Sequence, residues 1–276
     1  MSQPLEKYSS TKLFPRKGIL VFDSGVGGLS IAYEIQKLLP DVPLLSLGDH
    51  KYFPYGQKSE EFLLNRILEI LDYSIKEFEP SLVVVACNTA STFILPHLRE
   101  KYDIPFVGVV PPVKPAGEYS KTRSIAVLST EATSSRPYLD DLINEFASDC
   151  HVEKFGSKTL AILAERRISG DFVTIKDVER SLKPFDKKSS LSSLDSLVLG
   201  CTHYSIFKAE LQNIFGNHVK IFDPSMAVAT QVSKVFRTTF SYKEKVSWFL
   251  TSQIDKAISK EKYKNFGIEN IYYMQS

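Results

Sequence analysis

The sequence predicts an α/β protein: two doubly wound parallel-sheet domains of related topology with a cleft between them. Three observations predict it. Apolar, β-branched runs alternate with helical periodicities along most of the chain, the pattern of parallel strands joined by helices. The alternation restarts after the Pro-rich stretch Pro111-Pro112-Val113-Lys114-Pro115, a candidate domain crossing. Each half then holds a buried-strand pattern ending in a cysteine. Residues 82–86 lead into Cys87-Asn88-Thr89, and residues 197–200 lead into Cys201-Thr202-His203. Both thiols therefore fall at carboxyl ends of strands, where open α/β sheets hold their ligands.

The elements follow in order. Residues 1–16 read as a loose, polar N-terminal arm. Residues 18–22 (GILVF) form a strand, 23–28 (DSGVGG) a tight turn, and 29–39 a helix stopped by Pro40. A strand over 43–47 enters the loop 48–59 (GDHKYFPYGQKS), rich in turn formers. Ser59 caps the next helix, with Glu60 and Glu61 beside the positive end of its dipole. Leu64, Ile67, Leu68, Leu71, Ile75 and Phe78 give that helix its apolar stripe. The strand at 82–86, a helix over 90–101 and a strand over 105–110 complete the first half. In the second, strands are predicted over 124–128, 152–155, 197–199 and 219–222, and helices over 136–146, 159–168, 175–182 and 207–215. Residues 187–193 (KKSSLSS) read as a surface loop. Asp223-Pro224-Ser225 caps a helix over 226–236, and Trp248-Phe249-Leu250 reads as an edge strand. The expected division is an arm over 1–16, a first α/β domain over 17–110 plus 222–276 carrying Asp23 and Cys87, and a second over 111–221 carrying Cys201 and His203.

Composition narrows the function classes. The 276 residues carry 34 Lys and Arg against 32 Asp and Glu, a net charge of +2 that is too small to argue for a nucleic-acid or membrane partner. No apolar run spans a bilayer, and the polar start MSQPLEKYSSTKLFPRKG is unlike a signal peptide. Three cysteines, an odd number, suggest reduced thiols in a cytoplasm.

The chemistry gathers in three short segments. In Asp23-Ser24-Gly25-Val26-Gly27-Gly28, glycines at a strand–helix turn let backbone N–H groups approach an anion. The segment lacks the Lys-Ser/Thr ending of a phosphate loop, and Asp23 stands where a dinucleotide fingerprint has its first glycine. That leaves Asp23 as a carboxylate for a substrate amine or for orienting a thiol. Cys87 sits beside a helix N-terminus, where dipole and free N–H groups favour thiolate. Cys201 repeats the arrangement with His203 added. Cys150 lies in a polar context and reads as a bystander. His50, His97, His151 and His218 read as surface or loop histidines. No Cys-x-x-Cys or matched His spacing marks a metal site, and no lysine context demands pyridoxal phosphate, so no cofactor is expected. Two thiols facing one pocket can take a proton from one face of a carbon and return one to the other. The residues also admit a hydrolase using Cys201 and His203, which would leave Cys87 without a task, or a non-enzymatic amino-acid sensor.

The strings VFDSGVGGLS, FPYGQKSEEF, VACNTAS and LVLGCTHY resemble those of the glutamate racemases, cofactor-independent members of the aspartate/glutamate racemase superfamily. The resemblance covers about residues 17 to 240. It implies interconversion of L- and D-glutamate, supplying D-glutamate for peptidoglycan in the cytoplasm, with aspartate the nearest rival substrate. It implies Cys87 and Cys201 as acid/base residues on opposite faces of Cα, the first serving the D enantiomer and the second the L. Asp23 would assist Cys87, and His203 and Glu165 would assist Cys201. Asp23, Ser24, Tyr55, Gly56, Asn88, Thr89, Thr133, Thr202 and His203 would hold the amino acid. Residues 48–51 (GDHK) depart from the family's usual loop. The arm, with Lys7, Lys12, Arg16 and Lys17, and the stretch Phe155-Gly156-Ser157 resemble members activated by UDP-MurNAc-L-alanine. A homo-oligomer is compatible with the family pattern.

Overall fold

The computed structural model describes residues 6–7, 14–182, 193–238, 247–252 and 260–274. Lys12 of the arm and all but the last residue of the loop 187–193 lie outside them. The chain builds two parallel sheets flanked by helices. The first holds β1 (Glu6–Lys7), β2 (Ile19–Asp23), β3 (Leu44–Gly48), β4 (Leu82–Val85) and β5 (Phe106–Gly108). The second holds β6 (Ser124–Ser129), β7 (His151–Gly156), β8 (Ser196–Leu199) and β9 (Lys220–Phe222). The chain then returns to the first sheet as β10 (Ser247–Thr251) and β11 (Asn270–Tyr273). The orders are β1-β11-β10-β3-β2-β4-β5 and β7-β6-β8-β9, with every described pairing parallel.

The two halves share one winding. In each, the first of four consecutive strands lies between the second and the third, giving β3-β2-β4-β5 and β7-β6-β8-β9. The order therefore reverses between β2 and β4 and again between β6 and β8. Crevices open at such reversals, beyond the carboxyl ends of the strands. Both cysteines lie there, because each follows the third strand of its half by two residues.

Strands β2, β3, β4, β6 and β8 are buried on both faces, as helix-covered parallel sheets require. Leu20, Phe22, Val83 and Val85 pack on one side of the first sheet, and Ile19, Val21, Leu82 and Val84 on the other. The helix Ser225–Val235 returns to that second face, setting Val228, Ala229 and Val232 against Ile31, Ala32 and Ile35. Ser59 caps the helix Glu60–Phe78 by accepting from the Phe62 N–H. Among the described residues no helix is long and apolar enough to cross a membrane.

Three expectations change. The strand containing Trp248 is interior, paired with β3 on one side and β11 on the other. Its one-sided look in the sequence reflects Trp248 meeting Phe14 and Tyr272 across the sheet face. The arm is not wholly loose: Glu6 and Lys7 pair with Tyr272 and Tyr273, and Phe14 is buried edge-on to Phe78. Beyond Cys201 the chain first runs as a 3₁₀ stretch, Thr202–Phe207, before the helix Lys208–Phe215. That tighter winding brings the Tyr204 hydroxyl to the carbonyls of Ser129 and Ser157.

Candidate active site

Cys87 and Cys201 line one cavity from opposite halves of the molecule, about 310 Å³ of empty space between the carboxyl ends of the two sheets. Ser24, Tyr55, Gly56, Asn88, Thr89, Thr202 and His203 line it with them, as do Phe53, Pro54, Thr130 and Ala161. Asp23, Glu165 and Thr133 stand behind that wall rather than in it.

Asp23 ends β2 and is almost wholly buried. Its Oδ1 accepts from the Ser24 N–H at 2.6 Å and the Ser24 hydroxyl at 3.2 Å, and its Oδ2 accepts from the Thr202 hydroxyl at 2.9 Å. One carboxylate thus ties the Cys87 side to the Cys201 side. The Cys87 thiol points to Ser24 Oγ at 3.9 Å, so Asp23 meets Cys87 through that hydroxyl. Thr130 caps the short helix that holds Thr133 by accepting from the Thr133 N–H, and Thr133 backs Thr89 at 3.4 Å.

The glycine turn does approach an anion, and the anion belongs to the protein. The Val26 N–H donates to Glu165 Oε1 at 2.8 Å. A side chain at Gly25 would put its Cβ 1.9 Å from that oxygen. One at Gly27 would meet His203 Nδ1 at 2.4 Å and Thr202 Oγ1 at 2.5 Å. These glycines are needed because a carboxylate, an imidazole and a hydroxyl from the other half close on bare backbone. Glu165 Oε1 also accepts from His203 Nε2 at 3.0 Å, and its Oε2 bonds His50 Nε2 at 3.0 Å. His203 Nδ1 lies 4.0 Å from Cys201 Sγ, and Phe53 covers the imidazole at 5.2 Å between ring centroids.

Charge follows this geometry. Burial alone disfavours charge on Glu165, yet the two imidazoles hold it well below the usual carboxylate range. Burial also disfavours a charged His203, but its bonds to Cys201 and Glu165 and the field of Asp23 hold it well above an ordinary imidazole. Cys87 departs from the sequence expectation. The Ala90 N–H at the helix start and the Ser24 hydroxyl favour its thiolate, but burial first and the Asp23 charge second push the thiol strongly upward. Helix polarity is worth about 0.3–1 kcal/mol, and full desolvation outweighs it.

The loop after β3 holds what sequence reasoning missed. His50 is buried rather than superficial, bonded through Nδ1 to Thr251 at 2.8 Å. Asp49 accepts from the Tyr55 hydroxyl at 2.8 Å, Arg66 Nε at 3.0 Å and Nη2 at 2.9 Å, and Ser252 at 2.7 Å. Tyr55 therefore offers the cavity its ring while Asp49 engages its hydroxyl. Nothing local in the sequence marks the long-range contacts among these, whose partners are Thr251 of β10, Ser252 after it and Arg66 of the helix Glu60–Phe78. His97, His151 and His218 are exposed as expected. Cys150 is half-buried beside Asp149, away from the cavity. At the cavity wall, both polar atoms of the Asn88 side chain are buried without a hydrogen-bond partner.

Two switch points face each other with a thiol at each, and the chain belongs to the Asp/Glu/Hydantoin racemase family, whose model matches residues 30–232. That makes it a racemase by class. Its relatives narrow the class to glutamate racemases. It is 46% identical over 215 residues to that of Shewanella halifaxensis, covering 78% of this chain and 79% of the relative. It is 38% identical over 258 residues to that of Klebsiella pneumoniae, covering 94% and 86%. The crystal structure of Escherichia coli glutamate racemase in complex with L-glutamate and the activator UDP-MurNAc-ala superposes with a TM-score of 0.84 at 35% identity, covering 94% of this chain and 98% of that one. The Francisella tularensis enzyme in complex with D-glutamate gives 0.71 at 25% identity, covering 95% and 97%.

Proposed function

We propose that the protein interconverts L- and D-glutamate without a cofactor, with Cys87 and Cys201 as the two acid/base groups, and supplies D-glutamate for peptidoglycan in the cytoplasm. The observation that carries this reading is the meeting of two buried sulfurs, one from each sheet, across a single cavity. Two-sided proton exchange needs that arrangement, and a hydrolase does not. The unpartnered Asn88 amide offers a donor and an acceptor to an amino acid. Thr89 and Thr202 add hydroxyls.

In one direction the Cys201 thiolate removes the α-proton, and the Cys87 thiol delivers its own proton to the opposite face. The reverse direction exchanges the roles. His203 holds charge beside Cys201, Glu165 holds His203, and Asp23 acts on Cys87 through Ser24. Burial favours the reaction because charge on Cα is stabilised by fixed dipoles rather than mobile water.

The test is proton NMR of each enantiomer in D₂O with the full chain. Exchange of the α-proton for deuterium with loss of optical rotation is expected for glutamate and not for aspartate. Binding without exchange would identify a sensor, and a trapped acyl-enzyme a hydrolase. We further propose that UDP-MurNAc-L-alanine, named as activator in the E. coli complex, activates this chain, with Arg16 and Lys17 near its diphosphate. Arg16 is exposed and pairs with Glu79 at 3.0 Å, a contact weak enough to exchange for phosphate. Stimulation of kcat by the nucleotide, reduced in a variant with Arg16→Ala and Lys17→Ala, is the expected result. No stimulation of the full chain rejects activation.

A further inference from the structure

The Glu165 carboxylate is held from both halves of the molecule. Its own helix, Leu160–Ser169, and its partner His203 belong with the second sheet. The Val26 N–H and His50 belong with the first. Carboxylates this deeply buried, 2% exposed, require donors. An ionised Glu165 takes an N–H from Nε2 of each imidazole. That choice leaves His203 Nδ1 as the ring atom facing Cys201, and it leaves His50 Nδ1 as acceptor of the Thr251 hydroxyl. His50 cannot turn away. Thr251 fixes one nitrogen, Phe249 meets the ring edge-on at 5.9 Å between centroids, and a Cβ at Gly48 would lie 2.9 Å from His50 Cε1.

We propose that His50 is a positioning residue of the racemase reaction: through Glu165 it fixes the orientation and charge of His203 against Cys201, completing a relay Thr251–His50–Glu165–His203–Cys201 that forms across the two halves. Without His50 the carboxylate loses one of its donors, becomes easier to protonate and binds His203 less firmly. Proton transfer at Cys201 then slows, while Cys87, which makes no contact with the relay's far end, keeps its own. Partners behind a functional side chain commonly contribute ten- to a hundredfold to its activity, as metal sites illustrate.

This inference rests on the racemase reading, and the experiment separates the two. Primary deuterium isotope effects on kcat/KM are measured with L- and D-[2-²H]glutamate for wild type, His50→Leu and His50→Gln, with melting temperatures for each. Enantiomers have equal free energy, so kcat/KM must stay equal in the two directions, and the isotope effects carry the asymmetry. The Leu variant is expected to lose about 10–100-fold in kcat/KM. Its isotope effect should rise for the enantiomer deprotonated by Cys201, the L form, and fall for the other. The Gln variant, whose amide nitrogen reaches Glu165 as Nε2 does, should regain most of the loss. If the Leu variant does not fold, His50→Asn replaces it, because its shorter amide stops short of Glu165. Unchanged kcat/KM, or a loss with equal isotope effects and no rescue by Gln, overturns the proposal. A wild-type chain that fails to racemise glutamate overturns the functional reading instead.

Discussion

Gly25→Ala tests whether the glycine turn exists to admit Glu165. The new Cβ would lie 1.9 Å from Glu165 Oε1, where ordinary contact begins near 3.4 Å. The oxygen must therefore retreat by roughly 1.5 Å. Backbone strain is not the cause, since Gly25 is not among the positive-φ glycines. A retreat of that size breaks both bonds made by Oε1, the 2.8 Å contact with Val26 and the 3.0 Å contact with His203. Hydrogen bonds to charged groups are worth about 1.5–3 kcal/mol each, so a stability loss of about 2–4 kcal/mol remains after partial relaxation. Displacements of ~1 Å behind a reacting group cost about 10²-fold, and kcat/KM should fall by that much. The assay is racemisation followed by circular dichroism, with denaturant unfolding alongside. A second change makes the reasoning sharper. Glu165→Asp shortens the side chain by one methylene and draws its carboxylate back from the turn. The double variant should then lose less than the two single losses combined. A Gly25→Ala enzyme within about threefold of wild type, or strictly additive losses, would falsify the steric account.

Other expectations follow from the same geometry. Cys87→Ala and Cys201→Ala should each abolish racemisation while Cys150→Ala retains it, and substantial turnover by either of the first two would remove the two-thiol mechanism. Stability should depend on pH through the Glu165–His203 pair. The depressed Glu165 contributes fully above the ordinary value of 4.5 and loses its contribution as pH falls through its folded value, and the raised His203 contributes fully below 6.5 and loses its contribution as pH rises through its own. The melting-temperature gap between wild type and Glu165→Gln should therefore be widest between those two values, and a flat gap contradicts the assignment. Arg66→Met removes the bidentate cation from fully buried Asp49 and should cost about 3–5 kcal/mol in denaturant unfolding.

What the sequence revealed, and what it hid, divides by range. Strands β2, β4, β6 and β8 are legible because two-sided burial demands continuous apolar runs. Both cysteines are legible because each follows such a run directly. Trp248 reads as an edge residue because its neighbours in the sheet, β3 and β11, lie about two hundred residues before it and some twenty after it. His50 reads as a loop histidine because its partners are Glu165 and Thr251, 115 and 201 residues away. The resemblance implied Glu165, but no local pattern says that the glycine turn awaits a carboxylate 139 residues on. The protonation of Cys87 is hidden from the sequence for a related reason. Helix position is local and readable, whereas the burial that governs Cys87 is set by residues distant in sequence, Phe22 and Tyr55 among them, that share its core cluster.

Burial and the charge of Asp23 act together on the Cys87 thiol, and their effect can be measured. Cys87 has a neutral hydroxyl as its side-chain neighbour and lies in the field of Asp23, with burial pushing its thiol strongly upward. Cys201 faces an imidazole that is held well above its ordinary range. Cys87 is therefore held as the thiol near neutral pH. Thiolate is the form that alkylates, so limiting iodoacetamide near pH 7 should label Cys201 before Cys87. Access does not decide the order, because the two residues are 7% and 6% exposed. The measurement is peptide mass spectrometry over time, on a Cys150→Ala background that removes the more accessible thiol. His203→Asn should erase the preference, and L-glutamate should protect both sites in wild type. Labelling of Cys87 first would contradict the upward push that burial and Asp23 exert on its thiol.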